Sequence, residues 1–495
     1  MKNNRPRNLG ELRESGWKSR SVKDELRDNL LKKIEAGGEL FPGIIGYDKT
    51  VIPQIENAIL SGHNFILLGL RGQAKSRILR QVHTLLDDYV PVIPGTLLNE
   101  DPLNPISPQG RKMVRDQGDK MAVEWLSRHD RYHEKLATPD VSIADLIGDI
   151  DPIKAAREKL DISNEEVIHW GIIPRTNRGI FAINELPDLQ PRIQVGLLNI
   201  LEENDIQVRG FPLRIPLDML LVFTANPEDY TNRGNIITPL KDRIDAQIIT
   251  HYPRSLEEAR RITAGEIVLK GDPPPVPEFM KDIIEEVAFQ ARRSEYVDQT
   301  SGVSARVAIS AYESFLSNIR RRALRNGDSD HFPRMCDIYS ITPSVTGKIE
   351  LVYEGEQEGA LIVTQNLLAH AISAVFLRHF PKPSKDRAKP DERPVANPYE
   401  AVVDFFSSGR KLEISDDMPL AEYKANLKSI VGLEEIVRKH FDTDDDRDML
   451  LRMELILEGL YHHNIIAREM HDSVVCYADL FSNMLEEMGG MGGLE

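Results

Sequence analysis

Long apolar runs, cysteine and net positive charge are what this sequence lacks. Its 495 residues hold two cysteines, Cys336 and Cys476, at no metal-ligand spacing. That excludes a disulfide framework and points to a reducing compartment. No apolar run approaches the roughly 20 residues of a membrane span. Met1 to Arg20 is polar and basic with no apolar core, which does not read as a signal peptide, so the expected location is the cytoplasm. Lys and Arg number 62 against 78 Asp and Glu, a formal net charge of −16. Broad nucleic-acid binding needs a basic surface, so nucleic acid is not an expected partner. A local basic cluster, Arg320-Arg321-Arg322 to Arg325, reads as a solvated helix face or a phosphate-side patch. The remaining balance, 41% hydrophobic and 28% charged, is ordinary for a globular chain, and the length suits about three domains.

What the sequence has is a short apolar run, Phe65-Ile66-Leu67-Leu68, feeding Gly69-Leu70-Arg71-Gly72-Gln73-Ala74-Lys75-Ser76. An amphipathic segment, Arg77 to Leu86, follows. That is the strand–loop–helix order of a phosphate-binding loop. Backbone N–H groups of such a loop surround a triphosphate, and the helix dipole favours its charge. Lys75 is expected to reach the outer phosphates, and the Ser76 hydroxyl to bind Mg²⁺. Ala74 stands where a second Gly is usual. Ala is tolerable there if the residue is already helical, because only a positive φ excludes it.

The rest of a nucleotide site is sought downstream. Gly179 to Ile183 is a buried-strand run ending in Asn184-Glu185. Nucleotide hydrolases usually carry Asp-Glu there: the first acid holds Mg²⁺ through water, and the Glu polarises the attacking water. Asn184 keeps a carbonyl oxygen but loses the charge, so Mg²⁺ affinity is expected to be weakened. Met219 to Phe223 is a second apolar strand, ending in Thr224-Ala225-Asn226-Pro227, and an Asn at a strand tip can orient a water. Pro239-Leu240-Lys241-Asp242-Arg243 precedes a third strand, Ala246 to Ile249. Ser304-Ala305-Arg306 opens an amphipathic helix through Ala308, Ala311 and Phe315.

In this order the elements from about Phe41 to about Ser317 resemble the AAA+ ATPases of the helix-2-insert group, especially the MoxR-like proteins and the ATPase subunit of magnesium chelatase. The resemblance implies an α/β fold: a P-loop core with a parallel sheet between helices, then a helical lid. Beyond these, a further helical C-terminal domain is expected. It implies ATP and Mg²⁺ as cofactors. Ile45 and Gly46, from Ile44-Ile45-Gly46, and the loop from Gly69 to Ser76 would bind the nucleotide, while Ser76 and Asn184 would face the metal. Glu185 would be the catalytic base and Asn226 the first sensor. Arg243 would be the finger that reaches a neighbour's nucleotide, and Arg306 the second sensor. Asp149 to Pro174, with Trp170, sits where the family's insert lies, and Asp205 to Pro216, with Gly210 at its turn, looks like the hairpin before the first sensor. Ala before the loop Lys occurs elsewhere in the MoxR group, whereas Asn184 is the larger departure.

Composition shifts divide the chain into a charged lead (1–40), the α/β core (41–252), a lid (253–325), a connecting element (326–380), a stiff proline-rich linker (381–398), a helical C-terminal domain (399–487) and a Gly-rich disordered tail (488–495). Tyr89 to Leu136 reads as a family-specific elaboration of the core. The expected function is an ATP-hydrolysing AAA+ motor or chaperone-like protein. It would act as a ring, by resemblance a hexamer, on a protein client with a von Willebrand A-type domain. Two alternatives stay open: the ATPase subunit of a magnesium–porphyrin chelatase, and a scaffold that binds ATP and hydrolyses little.

Overall fold

In the computed structural model of the chain, the structure describes residues 5–151, 153, 157, 167–208, 214–226, 235–268, 272–383, 397–471 and 474–480. They form two compact units, 1–252 and 253–495.

The first unit is built on a five-stranded parallel sheet. Its strands are β1 (Phe65–Leu68), β2 (Tyr132–Leu136), β3 (Gly179–Asn184), β4 (Met219–Ala225) and β5 (Ala246–Ile249), in the order β5-β1-β4-β3-β2. Parallel strands covered on both faces read as near-continuous apolar runs, which is why β1, β3 and β4 are so plain in the sequence. Alternation then sorts the side chains. Phe65, Leu67, Ile180, Ala182, Leu220 and Val222 pack with helices α1 (Val22–Glu35), α2 (Val51–Leu60) and α3 (Lys75–Val82). Ile66, Phe181, Ile183, Leu221, Phe223 and Ala225 face the other way, into a second layer that includes Trp170 and Ile206.

Two readings of this unit need correcting. Tyr132 to Leu136 is not elaboration but the edge strand of the central sheet, paired parallel to β3. Its composition, Tyr-His-Glu-Lys-Leu, hid it, because an edge strand is half-covered and tolerates charge. Nor is the N-terminal lead separate from the core. Val22, Leu26 and Leu30 of α1 are buried against it. Glu25 and Arg131 form a bidentate pair of 2.8 and 2.6 Å, both side chains buried, and Arg131 Nε donates to the Arg178 carbonyl. Breaking such a pair from one side costs about 3–5 kcal/mol.

Around the sheet, Gly148–Ile150 pairs antiparallel with Ile168–Trp170, at the two ends of the expected insert. Residues 152, 154–156 and 158–166 of that insert lie outside the described residues. Asp205–Gln207 pairs with Arg214–Pro216 as a hairpin; its expected turn, with Gly210, Phe211 and Leu213, also lies outside them, as does Pro227. The short helix α4 (Thr238–Arg243) leads into β5.

In the second unit, α5 (Glu278–Ala291), α6 (Arg306–Asn326), α7 (Ala360–His379) and α8 (Asp446–His462) pack around one interior that runs from Phe279 to Tyr477. The lid, the connecting element and the C-terminal part thus share a single core. The C-terminal part is also not wholly helical. It carries an antiparallel sheet of β6 (Leu412–Ser415), β7 (Ile466–His471) and β8 (Val474–Asp479), in the order β6-β8-β7. Helix α7 corrects the expectation about apolar runs: it is 20 residues long and holds an 18-residue stretch with a mean hydropathy of 1.7, enough in length and composition to cross a membrane. Here its Leu367, Leu368, Ala371, Ile372, Val375 and Phe376 are buried in the core. A Cβ on Gly459 of α8 would lie 2.3 Å from the Phe376 ring, so only Gly allows this approach. Within the basic cluster, Arg322 is buried and paired with Asp337 at 2.8 Å, while Arg320, Arg321 and Arg325 are exposed. Residues 384–396 of the expected linker, and the expected tail, lie outside the described residues.

Candidate functional site

The carboxyl ends of three neighbouring strands, β1, β4 and β3, deliver the candidate residues to one place, the usual position of a ligand in an open α/β sheet. The loop after β1 is fixed by contacts from distant segments. A Cβ on Gly69 would lie 2.0 Å from Thr250 Oγ1 and 2.2 Å from Gln73 Oε1, so this position requires Gly. Thr250 Oγ1 donates to Gln73 Oε1 at 2.6 Å. The Tyr47 hydroxyl, next to the half-buried Ile45 and Gly46, lies 3.0 Å from the Gln73 carbonyl and 2.7 Å from that of His251, within reach to donate to either. The Tyr252 hydroxyl donates to the Arg71 carbonyl at 3.0 Å. Arg71 and Gly72 are exposed at the loop tip.

Ala74, which caps α3, has φ 57° and ψ 13°. The condition under which Ala is tolerable there, a helical backbone, is therefore not met: the residue sits in the left-handed region, where a Cβ is strained by about 1–2 kcal/mol. Closure of the loop by Thr250, Tyr47 and Tyr252 sets that conformation, which the residue type alone does not reveal.

Lys75 opens α3 with 6% exposure. Its ammonium donates to the carbonyls of Gly69 and Leu70, the latter at 2.9 Å, and to Asn226 Oδ1 at 2.6 Å. Asn226 Nδ2 in turn donates to Glu185 Oε2 at 2.8 Å. Glu185 is left-handed too, with φ 56° and ψ 50°, and its N–H donates to Thr224 Oγ1 at 3.0 Å. That turn directs the carboxylate toward Asn226. Strained residues of this kind collect at functional sites because the surroundings over-determine them. Ser76 Oγ donates to Asn184 Oδ1 at 3.1 Å, and Asn184 is 8% exposed.

Lys75, Ser76, Asn184, Glu185 and Asn226 are thus gathered at one site. Arg243 is not bonded into it. At the end of α4 its Nε and a terminal nitrogen contact Glu202 Oε2 at 2.7 and 2.6 Å, and the other terminal nitrogen donates to the Pro239 carbonyl. Arg306 is the exposed first residue of α6 in the second unit, its N–H donating to the Ser304 hydroxyl. Sequence reasoning missed Tyr47, Thr250 and Tyr252, which hold the loop, and Glu134 on β2. Arg80 of α3 donates to both Glu134 oxygens at 2.6 to 3.1 Å, and the Tyr132 hydroxyl joins at 3.1 Å. Arg80 first, with smaller help from Tyr132 and Asn184, holds the Glu134 carboxyl below the usual range.

The donor set fits a small hard cation. Ser76 Oγ and Asn184 Oδ1 are adjacent neutral oxygens, the kind of donor Mg²⁺ takes when phosphate oxygens and water complete its shell. Among the described residues no cluster of three or more His, Cys, Asp or Glu could hold a metal on its own. A shared site with a phosphate ligand is what the geometry allows.

No family model matches the chain. It is similar to the magnesium-chelatase 38 kDa subunit of Rhodobacter capsulatus, 24% identical over 237 residues, 47% of this chain and 62% of that protein. It is also similar to the magnesium-chelatase subunit ChlI homolog of Methanocaldococcus jannaschii, 27% identical over 230 residues, 45% of this chain and 58% of that protein. The chain spans less than two thirds of the length of these relatives. A cryo-EM complex of the magnesium-chelatase subunits BchI and BchD aligns at 18% identity and a TM-score of 0.34, over 64% of this chain and 98% of that one. The resemblance to the ATPase subunit of magnesium chelatase stands on the curated relatives.

Proposed function

We propose that the chain binds ATP with Mg²⁺ and hydrolyses it, working as a ring in which Arg243 of one subunit serves the nucleotide of the next. The observation that carries this reading is the bonded series Lys75–Asn226–Glu185 beside the pair Ser76–Asn184. A cation for phosphates, an amide, and a carboxylate for polarising water stand in hydrogen-bond sequence, as hydrolysis requires. Backbone N–H groups of the loop and the start of α3 would hold the phosphates, with Lys75 exchanging its carbonyl partners for phosphate oxygens. Glu185 would take the proton of the attacking water while Asn226 fixes the carboxylate. Ser76 and Asn184 would face Mg²⁺, which supplies neutralising charge when bound. Arg243 would leave Glu202 to cross the subunit boundary, and Arg306 would act as the second sensor.

Two readings of what the ring does are equally supported. One is a motor or chaperone-like remodeller of a protein client, of von Willebrand A type by the resemblance. The other is the ATPase subunit of a magnesium–porphyrin chelatase, favoured by the names of the curated relatives. Co-purification of the intact protein with its partners decides between them: a large porphyrin-binding subunit supports the second, any other client the first.

Lys75→Ala should abolish ATP binding in calorimetric titration while leaving the far-UV circular dichroism unchanged. Glu185→Gln should keep ATP bound and stop turnover. Unchanged ATP affinity in Lys75→Ala removes the nucleotide reading; slow hydrolysis indifferent to Glu185→Gln leaves only the scaffold.

A further inference from the structure

The loss of charge at residue 184 has a local counterpart. In the parallel pairing of β2 with β3, Glu134 stands opposite Ala182, and Leu136 opposite Asn184. Residues two apart on a strand share a face, so Glu134 and Asn184 are diagonal neighbours on the face that α3 covers. On α3, Ser76 and Arg80 lie four residues apart and therefore also share a face. The two pairs meet: Ser76 bonds Asn184, and Arg80 grips Glu134. Asn184 is oriented by its surroundings. Ser76 and Thr224 donate to its Oδ1, and the amide lies near enough to Glu134 to help hold that carboxyl below its usual range. Glu134 is thus the acidic side chain that the sheet register sets beside Asn184 on this face, while Glu185 accepts from Asn226.

We propose that Glu134 is the positioning residue of the metal half of the site, lending through Asn184 the negative charge that residue 184 itself lacks. This rests on the nucleotide reading above. The physical route is short. An amide whose N–H end stands beside a carboxylate is polarised, so its oxygen becomes a better acceptor for a water on Mg²⁺. Donation from Ser76 and Thr224 to Oδ1 fixes which end of the amide faces Ser76. Carboxylates one step behind a ligand tune metal sites in this way, and their removal typically weakens metal binding about 10–100-fold. Arg80 opposes the effect only in part, because its side chain is 61% exposed and an exposed pair is screened by water.

Calorimetric titration of ATP across a Mg²⁺ series, and in EDTA, tests this on the full chain. In EDTA, wild type and Glu134→Gln should bind ATP alike, because Lys75 and the loop are untouched. With Mg²⁺, Glu134→Gln should raise the half-saturating concentration about ten-fold. The double variant Glu134→Gln/Asn184→Asp, which moves the charge onto residue 184, should return it to within about two-fold of wild type, a rescue that a merely structural role for Glu134 does not give. Arg80→Ala, at an exposed position, should shift it the opposite way by freeing the Glu134 charge. Wild-type Mg²⁺ dependence in Glu134→Gln, or a double variant no better than Glu134→Gln, overturns the proposal. Wild type that binds no ATP under any condition sinks the nucleotide reading itself and this inference with it.

Discussion

Ala74 and Glu185 hold left-handed backbone at the two ends of the candidate site, one capping α3 and the other closing β3. Neither type favours that conformation, so each stores strain that the fold maintains. For Ala74 the sign of one substitution is decisive. Were the residue helical, Ala74→Gly would cost about 1 kcal/mol. With φ at 57°, removing the Cβ relieves the left-handed penalty, partly offset by the greater freedom of unfolded Gly. The expected outcome is a gain of about 0.5–1 kcal/mol. The sequence's three Trp residues, Trp17, Trp125 and Trp170, all lie in the first unit, so urea unfolding followed by Trp fluorescence reads this change. A lower urea midpoint in the variant contradicts the assignment. At Glu185 the strain has a visible use, since the turn brings the carboxylate to Asn226.

Helix α8 shows how one element carries buried charge. Glu454 accepts from the Tyr423 hydroxyl at 2.6 Å and the Met335 N–H at 2.9 Å, both through Oε2. Burial, aided by the neighbouring Glu458 and opposed by those bonds and Arg334, pushes its carboxyl up to about 7 from an ordinary 4.5. Its neutral form is therefore the one the fold prefers. Below about 4.5 the group is protonated folded or unfolded, and its contribution is flat. Between there and about 7 the unfolded chain releases the proton first, so stability from this group falls as pH rises. Glu458, four residues on, is held below the usual range despite burial, by Arg468 and His462, so it acts in the opposite sense. Glu454→Gln keeps an oxygen for both donors and stays neutral. Its urea midpoint, followed by far-UV circular dichroism of the mainly helical second unit, should rise relative to wild type through that window and then level off. A variant that tracks wild type at every pH contradicts the assignment.

Assembly is the property of the whole molecule that the proposal needs. Arg243 is bonded to Glu202 rather than to Lys75, Asn184, Glu185 or Asn226, so its use at a nucleotide calls for a neighbour's site. Lys75→Ala subunits would keep a working Arg243, and Arg243→Ala subunits a working pocket. Each alone should be inactive. Mixed in equal amounts, about a quarter of random interfaces would join an intact pocket to an intact Arg243, and steady-state ATPase activity should recover to that order. Mixtures that stay inactive although co-assembly is demonstrated would show that Arg243 is only a surface partner of Glu202.

The sequence by itself determined the core strands β1, β3 and β4, the loop between β1 and α3, and the order of Lys75, Asn184, Glu185 and Asn226 along the chain. Each is a local signal: a strand buried on both faces is an unbroken apolar run, and the residue at its end is read directly. Only the tertiary structure decided the rest. The edge strand β2 looked like polar loop, since half its surface meets water. The φ of Ala74 followed from Thr250, Tyr47 and Tyr252, which are distant in sequence or not marked by any motif. One core joined segments of the second unit that composition had separated, because shared burial leaves no mark at a boundary. The meeting of Glu134 with Asn184 depended on β2 lying beside β3, a pairing set by packing across the sheet. Periodicity and spacing report a residue's own element; which element lies next to it is fixed only when the interior closes.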